Sequence, residues 1–444
     1  MISSFKEDKE KQKSTAVDRE SIHQADTLAR SQAPSPPDGG ILAWLQVLGA
    51  FFFVFNTWGL ANAFGVFQTY YTTVLLTTSA PSTISWVGSI QGFLLLFVGI
   101  LTGRAFDAGY FFHLATIGTF LEVFGMMMTS LATEYYQVFL AQGLVVGIGS
   151  GFLFTPAISL VGTYFVKKRA LATGIAATGS SLGGIIYPIV IRELVPRVGF
   201  GWAVRAMAFL MLGTLLIGIA LLRPRLPPRK SGLVVELAAF KDTVYASFVI
   251  GLTFALLAFF VPFFYADTYA LNLGTDVDLS FYVLTIMNAG GVVGRLLPNA
   301  MADYFGNLNV LIPCIIISAV VVFTWISVTT TPSLIAVSFF YSFVSGGIVA
   351  LPPAILVFLS PSLAHVGTRA GMAFSIGSLG VLIGSPIAGA ILKNQSDLNA
   401  EGQVIVGRAD YSGVLALTGT ALAISAICMT YTRYAKKGVA LVKI

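Results

Sequence analysis

Apolar residues fall into twelve long runs separated by short polar breaks. The runs cover approximately residues 42–71, 83–103, 112–132, 136–163, 170–192 and 202–222, then 244–268, 279–301, 309–328, 333–359, 368–392 and 411–434. Crossing a hydrocarbon core about 30 Å thick takes about 20 helical residues. Lipid offers the backbone no hydrogen-bond partner, so each run is predicted to be a membrane-spanning helix. Breaks such as Thr77-Thr78-Ser79-Ala80-Pro81-Ser82 and Thr329-Thr330-Thr331-Pro332 are short loops. The longest internal break, about Arg223 to Lys241, divides six runs from six. The predicted organisation is an all-α integral membrane protein with a disordered tail (1–37), a six-helix bundle (38–222), a central loop (223–243), a second six-helix bundle (244–434) and a short tail (435–444).

The two halves share a mark. Gly103-Arg104-Ala105-Phe106-Asp107 closes the second run, and a segment from Gly294-Arg295 to Asp303 closes the eighth. The aspartates stand 196 residues apart, nearly half the chain. A carboxylate at the same point of two similar hydrophobic units indicates duplication, and duplicated membrane halves place a transport site between them. A carboxylate there caps the next helix's N-terminus and pairs with an arginine of a neighbouring helix. Arg104, Asp107, Arg295 and Asp303 are therefore candidate gate residues.

Composition agrees with the pattern. The 444 residues are 56% hydrophobic and 10% charged, with a mean hydropathy of +0.83. Soluble domains carry about 25% charged residues, so this chain cannot dress a water-facing surface. The net charge of +6 does not indicate nucleic acid, because the basic residues sit in short loops between apolar runs. With the N-terminus cytoplasmic, 21 of the 26 Lys and Arg residues fall on the cytoplasmic side. The outer side keeps Arg192, Arg197, Arg205, Lys393 and Arg408. That asymmetry fits twelve spans with both termini inside, and a plasma membrane is the expected location. The tail has no apolar core of the signal-peptide kind, so the first span is expected to act as insertion signal.

Several other signals are read narrowly. Cys314 and Cys428 lie in apolar runs and read as small buried side chains, not a disulfide. His23, His113 and His365 form no metal-ligand spacing, and no metal or cofactor is expected. The Gly-rich runs Gly143, Gly147, Gly149, Gly151 and Gly174, Gly179, Gly183, Gly184 lie inside apolar helices with no strand before them. They read as close helix packing and a rocking hinge, not as phosphate loops. Asn394-Gln395-Ser396 matches the N-glycosylation pattern in an outer loop, making Asn394 a candidate acceptor. No nucleophile–base constellation is visible, so no enzyme is expected.

Three segments then carry a resemblance: Pro37-Asp38-Gly39-Gly40, Tyr164 through Ala176 with Lys167-Lys168-Arg169, and Gly179-Ser180-Ser181-Leu182-Gly183-Gly184. With Gly294-Arg295, Pro298-Asn299, Ala302-Asp303 and Gly306, the chain resembles the fungal branch of the monocarboxylate porter family, within the major facilitator superfamily. The resemblance implies twelve helices in two six-helix bundles and alternating access. Animal members move lactate or pyruvate with a proton, using a Lys in the first helix and an Asp–Arg pair in the eighth. Here the Lys position is Asn62, the Asp position is Gly291, and the Arg is kept as Arg295. Lactate-type symport therefore loses two of its three groups.

Candidate substrate residues follow. Arg295 is suited to an anionic group, since guanidinium grips carboxylates bidentately. Asn56, Asn62 and Gln68 in span one, Tyr187 in span five, Tyr265 in span seven and Asn288 in span eight are candidates to line a cavity. Glu122 in span three, read as the only acidic residue well inside a span, is the candidate proton-coupling group. The sequence favours a secondary transporter of a small organic molecule in a lipid bilayer, leaning to efflux of a fungal secondary metabolite. The alternatives are proton-coupled uptake of a carboxylate or vitamin nutrient, and a non-transporting membrane sensor. Sequence alone leaves substrate, coupling ion and oligomeric state open.

Overall fold

Apolar composition without interruption leaves the backbone one solution in lipid, and the chain takes it throughout. In a computed structural model, which describes residues 36–228, 236–361, 363–397, 404–405 and 407–437, eleven continuous helical stretches are long and apolar enough to cross a membrane. These are α1 (Gly40–Leu75), α2 (Ser82–Asp107), α3 (Phe111–Thr129), α4 (Tyr135–Tyr164), a stretch Arg169–Leu221, α7 (Thr243–Asn272), α8 (Leu279–Phe305), α9 (Asn307–Trp325), α10 (Thr331–Leu359), α11 (Val366–Gln395) and α12 (Ser412–Lys436). The stretch Arg169–Leu221 has 53 residues, about 80 Å of helix at 1.5 Å per residue. It cannot be one span. Gly199, at φ 77° and ψ 165°, breaks it into α5 (169–198) and α6 (200–221). A left-handed φ is open to glycine at no steric cost. Twelve spans result.

The first span and the fourth each contain a π-helical turn, over Tyr71–Leu75 and Phe139–Val146. The two turns are tied together: Tyr71, fully buried, donates its hydroxyl to Gln142 Oε1 at 2.5 Å. The central loop contains a 3-10 turn, Leu237–Lys241, followed by Asp242, whose carboxylate accepts from Val244 N and caps α7. The N-terminal tail to residue 35, the basic segment 229–235 and the final residues 438–444 lie outside the described residues.

Within the unit that begins at Asp38, α1 packs on α4 and on the α5–α6 stretch, while α7 packs on α11 and α12. Two seams join the halves: α2 against α11, and α5 against α8. Glycine sets both seams. A Cβ on Gly174 would meet Asn299 Cβ at 2.7 Å, and one on Gly184 would meet Asn288 Cγ at 2.6 Å. A Cβ on Gly371 of α11 would meet Ile100 Cα of α2 at 3.0 Å. The predicted small-residue packing is therefore present between the halves and, more tightly, inside each, where a Cβ on Gly294 of α8 would meet Phe343 O and one on Gly183 of α5 would meet Phe55 O. Aromatic pairs between α1 and α7 add to the junction: Trp58 stacks on Phe260 at 5.6 Å, and Phe64 meets Phe264 at 5.3 Å.

Candidate functional site

Arg295 lies at the centre of the α5–α8 seam. It is 1% exposed, so it belongs to the interior of the bundle and not to either face, correcting its placement among the loop charges. Nη1 donates to Ser181 Oγ of α5 and to the carbonyl of Gly291, one turn back, at 3.2 Å. Nε and Nη2 have no partner among the described residues. Around Gly291, where a side chain is missing, Arg295 Nη1, Ser181 Oγ and Ser342 Oγ crowd the vacant Cβ direction at 2.5–2.8 Å. An arginine enclosed this way without an acid beside it is costly, which makes Arg295 a candidate site residue.

Amides flank it. Asn288 Nδ2 donates to the carbonyls of Gly184 and Leu284, at 3.2 and 3.0 Å, leaving Oδ1 unpartnered. Asn62 Nδ2 reaches Ser180 O at 3.4 Å, and its Oδ1 is also unpartnered. Asn299 Nδ2 donates to Arg295 O at 2.7 Å. The structure thus brings together three predicted residues, Asn62, Asn288 and Arg295, and adds Ser181 and Asn299.

Other predicted residues are spoken for elsewhere. Tyr187 donates to Asn56 Oδ1 at 2.6 Å, and Asn56 Nδ2 donates to Thr214 of α6 at 3.0 Å. These form a polar core inside the first bundle. Tyr265 is buried, donates to Ser385 O of α11 at 3.1 Å and also meets the Ser85 hydroxyl of α2. Gln68 Nε2 donates to Ser85 Oγ at 3.2 Å. Glu122 is fully buried, with Ser150 Oγ donating to its Oε1 at 2.5 Å. Cys314 is buried and Cys428 half-buried, and both are free. Asn394 is exposed, but on the last turn of α11 and not in a loop, because that helix runs to Gln395.

The repeated aspartates do not cap the helices that follow them. The starts of α3 and α9, at Tyr110 and Gly306, have no side-chain cap. Asp303 instead crosses to the other half and accepts from Ala170 N and Leu171 N of α5, at 3.1 and 2.9 Å. Asp107 also reaches the other half: a Cβ on Gly367 of α11, whose helix begins at Leu363, would stand 2.8 Å from its Oδ2. Carboxylates at helix N-termini are stabilised by unsatisfied N–H groups and the helix dipole. Each half therefore closes one seam of the other on the same face, with Arg104 half-buried one turn before Asp107.

Two further anchors complete that face. Asp38, in the segment before α1, accepts from Val166 N and Lys167 N at 2.5 and 2.8 Å, immediately ahead of the α5 start that Asp303 caps. Burial pushes the Asp38 carboxyl up, but those amides and the Lys167 charge outweigh it and hold it below the usual aspartate range. In the second half, Arg369, 7% exposed, pairs with Glu236 at 3.3 Å and lies 4.0 Å from Asp242. Tyr245 donates to Arg369 O at 2.7 Å.

At the opposite end of the helices a cleft of about 490 Å³ opens between α1, α5, α7 and α8. Thr69, Arg192, Glu193, Asp267 and Phe281 are among its lining residues. Thr69 donates to Asp267 Oδ2 at 2.5 Å, joining α1 to α7. Arg192 stacks over Phe281 and Tyr282, at 5.1 and 4.5 Å. Sequence reasoning missed Asp267 because the apolar run ends at about 268, whereas α7 continues to Asn272 and makes Asp267 a second acid within a span, in addition to Glu122. It missed Glu236 because a loop glutamate carries no periodic signal.

Comparison with known proteins agrees with this architecture. The profile of the Major Facilitator Superfamily matches residues 43–299 and 243–441. MFS-type transporter dbaD of Emericella nidulans is 44% identical over 371 residues, 83% of this chain and 84% of that protein. The aspyridones efflux protein apdF of the same fungus is 42% identical, over 80% of this chain and 73% of its own length. MFS transporter asaE of Aspergillus flavus is 38% identical over 89% of both. A solved structure of a mutant of the nucleoside transporter NupG superposes with a TM-score of 0.63 at 16% identity, over 88% of this chain and 99% of that one, a likeness of fold alone.

Proposed function

The chain belongs to the Major Facilitator Superfamily and is a multi-pass membrane transporter, and from that premise we propose that it exports an acidic product of fungal secondary metabolism. The observation that carries the substrate class is Arg295. Its guanidinium is enclosed between the two halves, with two nitrogens unpartnered and glycine where an acid one turn away would neutralise it. The missing negative charge then comes from the cargo: a carboxylate or enolate, gripped by two N–H groups. Asn62, Asn288 and Asn299 each hold an unpartnered carbonyl oxygen for the cargo's hydroxyl or amide groups. The efflux direction is supported by likeness to the aspyridones efflux protein.

The segments around Asp38, Lys167 and Gly183 support a position near the fungal branch of the monocarboxylate porters, and Asn62 and Gly291 argue against lactate-type proton symport. Basic loops on the face that holds Asp38 and Asp303 support a cytoplasmic position for that face, in the plasma membrane. The test is transport in a host lacking related carriers, with uptake and efflux of a panel of organic acids and their neutral esters, with and without a proton gradient. Efflux of acids but not of their esters, lost in Arg295→Gln, supports the reading. Equal transport of both forms refutes the anionic substrate.

A further inference from the structure

The polar core of the first bundle encloses a carboxyl that neither the seam nor the gate uses. Glu122 has 0% of its surface exposed. Ser150 supplies one donor to Oε1, and Oε2 has no partner among the described residues. From α4 the group meets Ser150 and Gly149, whose added Cβ would stand 3.0 Å from Glu122 Cγ. Tyr187 of α5 lies within electrostatic range of it. The influences on the carboxyl itself are burial and the Ser150 hydroxyl, with no cation among them. An ionised carboxylate at such depth needs further donors.

We infer that Glu122 is a proton-binding site and that Tyr187 transmits its charge to the α5–α8 seam. Tyr187 has one hydroxyl proton and gives it to Asn56 Oδ1 at 2.6 Å. When Glu122 releases its proton to water, no heavy-atom bond changes, but the new negative charge acts at range on that O–H and on its bond to Asn56. The bond held and the bond weakened are two settings of α5. One turn before Tyr187, the Gly184 carbonyl holds Asn288 of α8, and a Cβ there would stand 2.6 Å from Asn288 Cγ. A shift of α5 at Tyr187 therefore reaches the wall beside Arg295. Coupling of this kind needs two discrete arrangements of one packed element, which the Tyr187–Asn56 bond, made or broken, supplies.

This inference extends the transporter reading, and its test needs no cargo. The full-length protein in lipid nanodiscs is titrated between about pH 5 and about pH 9, and infrared difference spectra follow the carboxylic acid C=O band. The expected result is a band lost at high pH in the native protein and absent from Glu122→Gln. Tyr187→Phe displaces the midpoint by at least about half a pH unit. Should Glu122→Gln fail to fold, Ser150→Ala leaves the carboxyl in place and shifts the band instead. An unchanged band in Glu122→Gln, or a midpoint unmoved in both Tyr187→Phe and Ser150→Ala, overturns the inference. A titrating band together with no acid transport overturns the cargo assignment and leaves the proton site standing.

Discussion

Removing the Asp303 carboxylate opens the seam it closes. Asp303→Ala deletes two hydrogen bonds to the first turn of α5, from Ala170 N and Leu171 N at 3.1 and 2.9 Å. Losing a helix cap costs about 1 kcal/mol, and losing a negative charge beside a helix N-terminus up to about 1 kcal/mol more. Asp303 is half-buried, so salt screens the pair less than it would a surface one. The total of about 2 kcal/mol corresponds to a shift of roughly 30-fold between closed and open forms of that face. Asp303→Asn keeps an oxygen acceptor and loses the charge, about 1 kcal/mol or roughly 5-fold. Spin labels at Val166 and Phe358, exposed on the two halves, report the populations by pulsed electron resonance in nanodiscs. Asp107→Ala gives a comparable shift, because it stands at the equivalent point of the α2–α11 seam. An Asp303→Ala distance distribution matching the native one within about 2-fold would refute the capping argument.

Three other outcomes follow from the same geometry. Arg295→Lys keeps the charge but not the fork, so cargo affinity falls by roughly tenfold or more while protein yield is retained, measured by binding of the acid found in the transport panel. Gly184→Ala inserts a Cβ at 2.6 Å from Asn288 Cγ. The overpacking costs about 1–3 kcal/mol, read as a lower melting temperature that Asn288→Ala in the same chain partly restores. Asp38→Ala melts below the native protein at neutral pH. Because the folded Asp38 carboxyl lies below its ordinary value of 3.8, its contribution is present above that value and fades as pH falls through the folded one. The melting difference therefore narrows toward about pH 3, and a constant gap contradicts the role given to Asp38.

The helices were readable because lipid enforces a single secondary structure and a minimum length, so hydropathy alone finds α1 to α12, though not every end, as α7 shows. The duplication was readable because Asp107 and Asp303 recur after equivalent runs. Their targets were not: each carboxylate reaches a helix of the opposite half, Asp303 the start of one more than 130 residues away, and local capping logic selects the following helix instead. Arg295, Asn62 and Asn288 all bond to α5, since polar groups inside apolar helices have few places to go. Tyr187 and Asn56 were indistinguishable from them in sequence. Only packing shows that they satisfy each other within one bundle.

The α5–α8 seam concentrates the parts that alternating access needs. Arg295 and Asp303 lie on one helix, eight residues and about 12 Å apart. On the facing helix, Ser181 holds Arg295 and the amides of residues 170 and 171 hold Asp303. An anion that takes Arg295 from Ser181 loosens the middle of the seam, while Asp303 fixes its end. Gly174 and Gly184 keep the two backbones too close for gradual adjustment, since any added volume there meets Asn299 or Asn288 directly. A tightly packed interface of this kind changes by switching between arrangements and not by yielding smoothly. Cargo charge and gate closure are then linked by the rigidity of α8 itself. No chain of intermediate residues is required, and substitutions outside this seam that preserve packing leave the linkage intact.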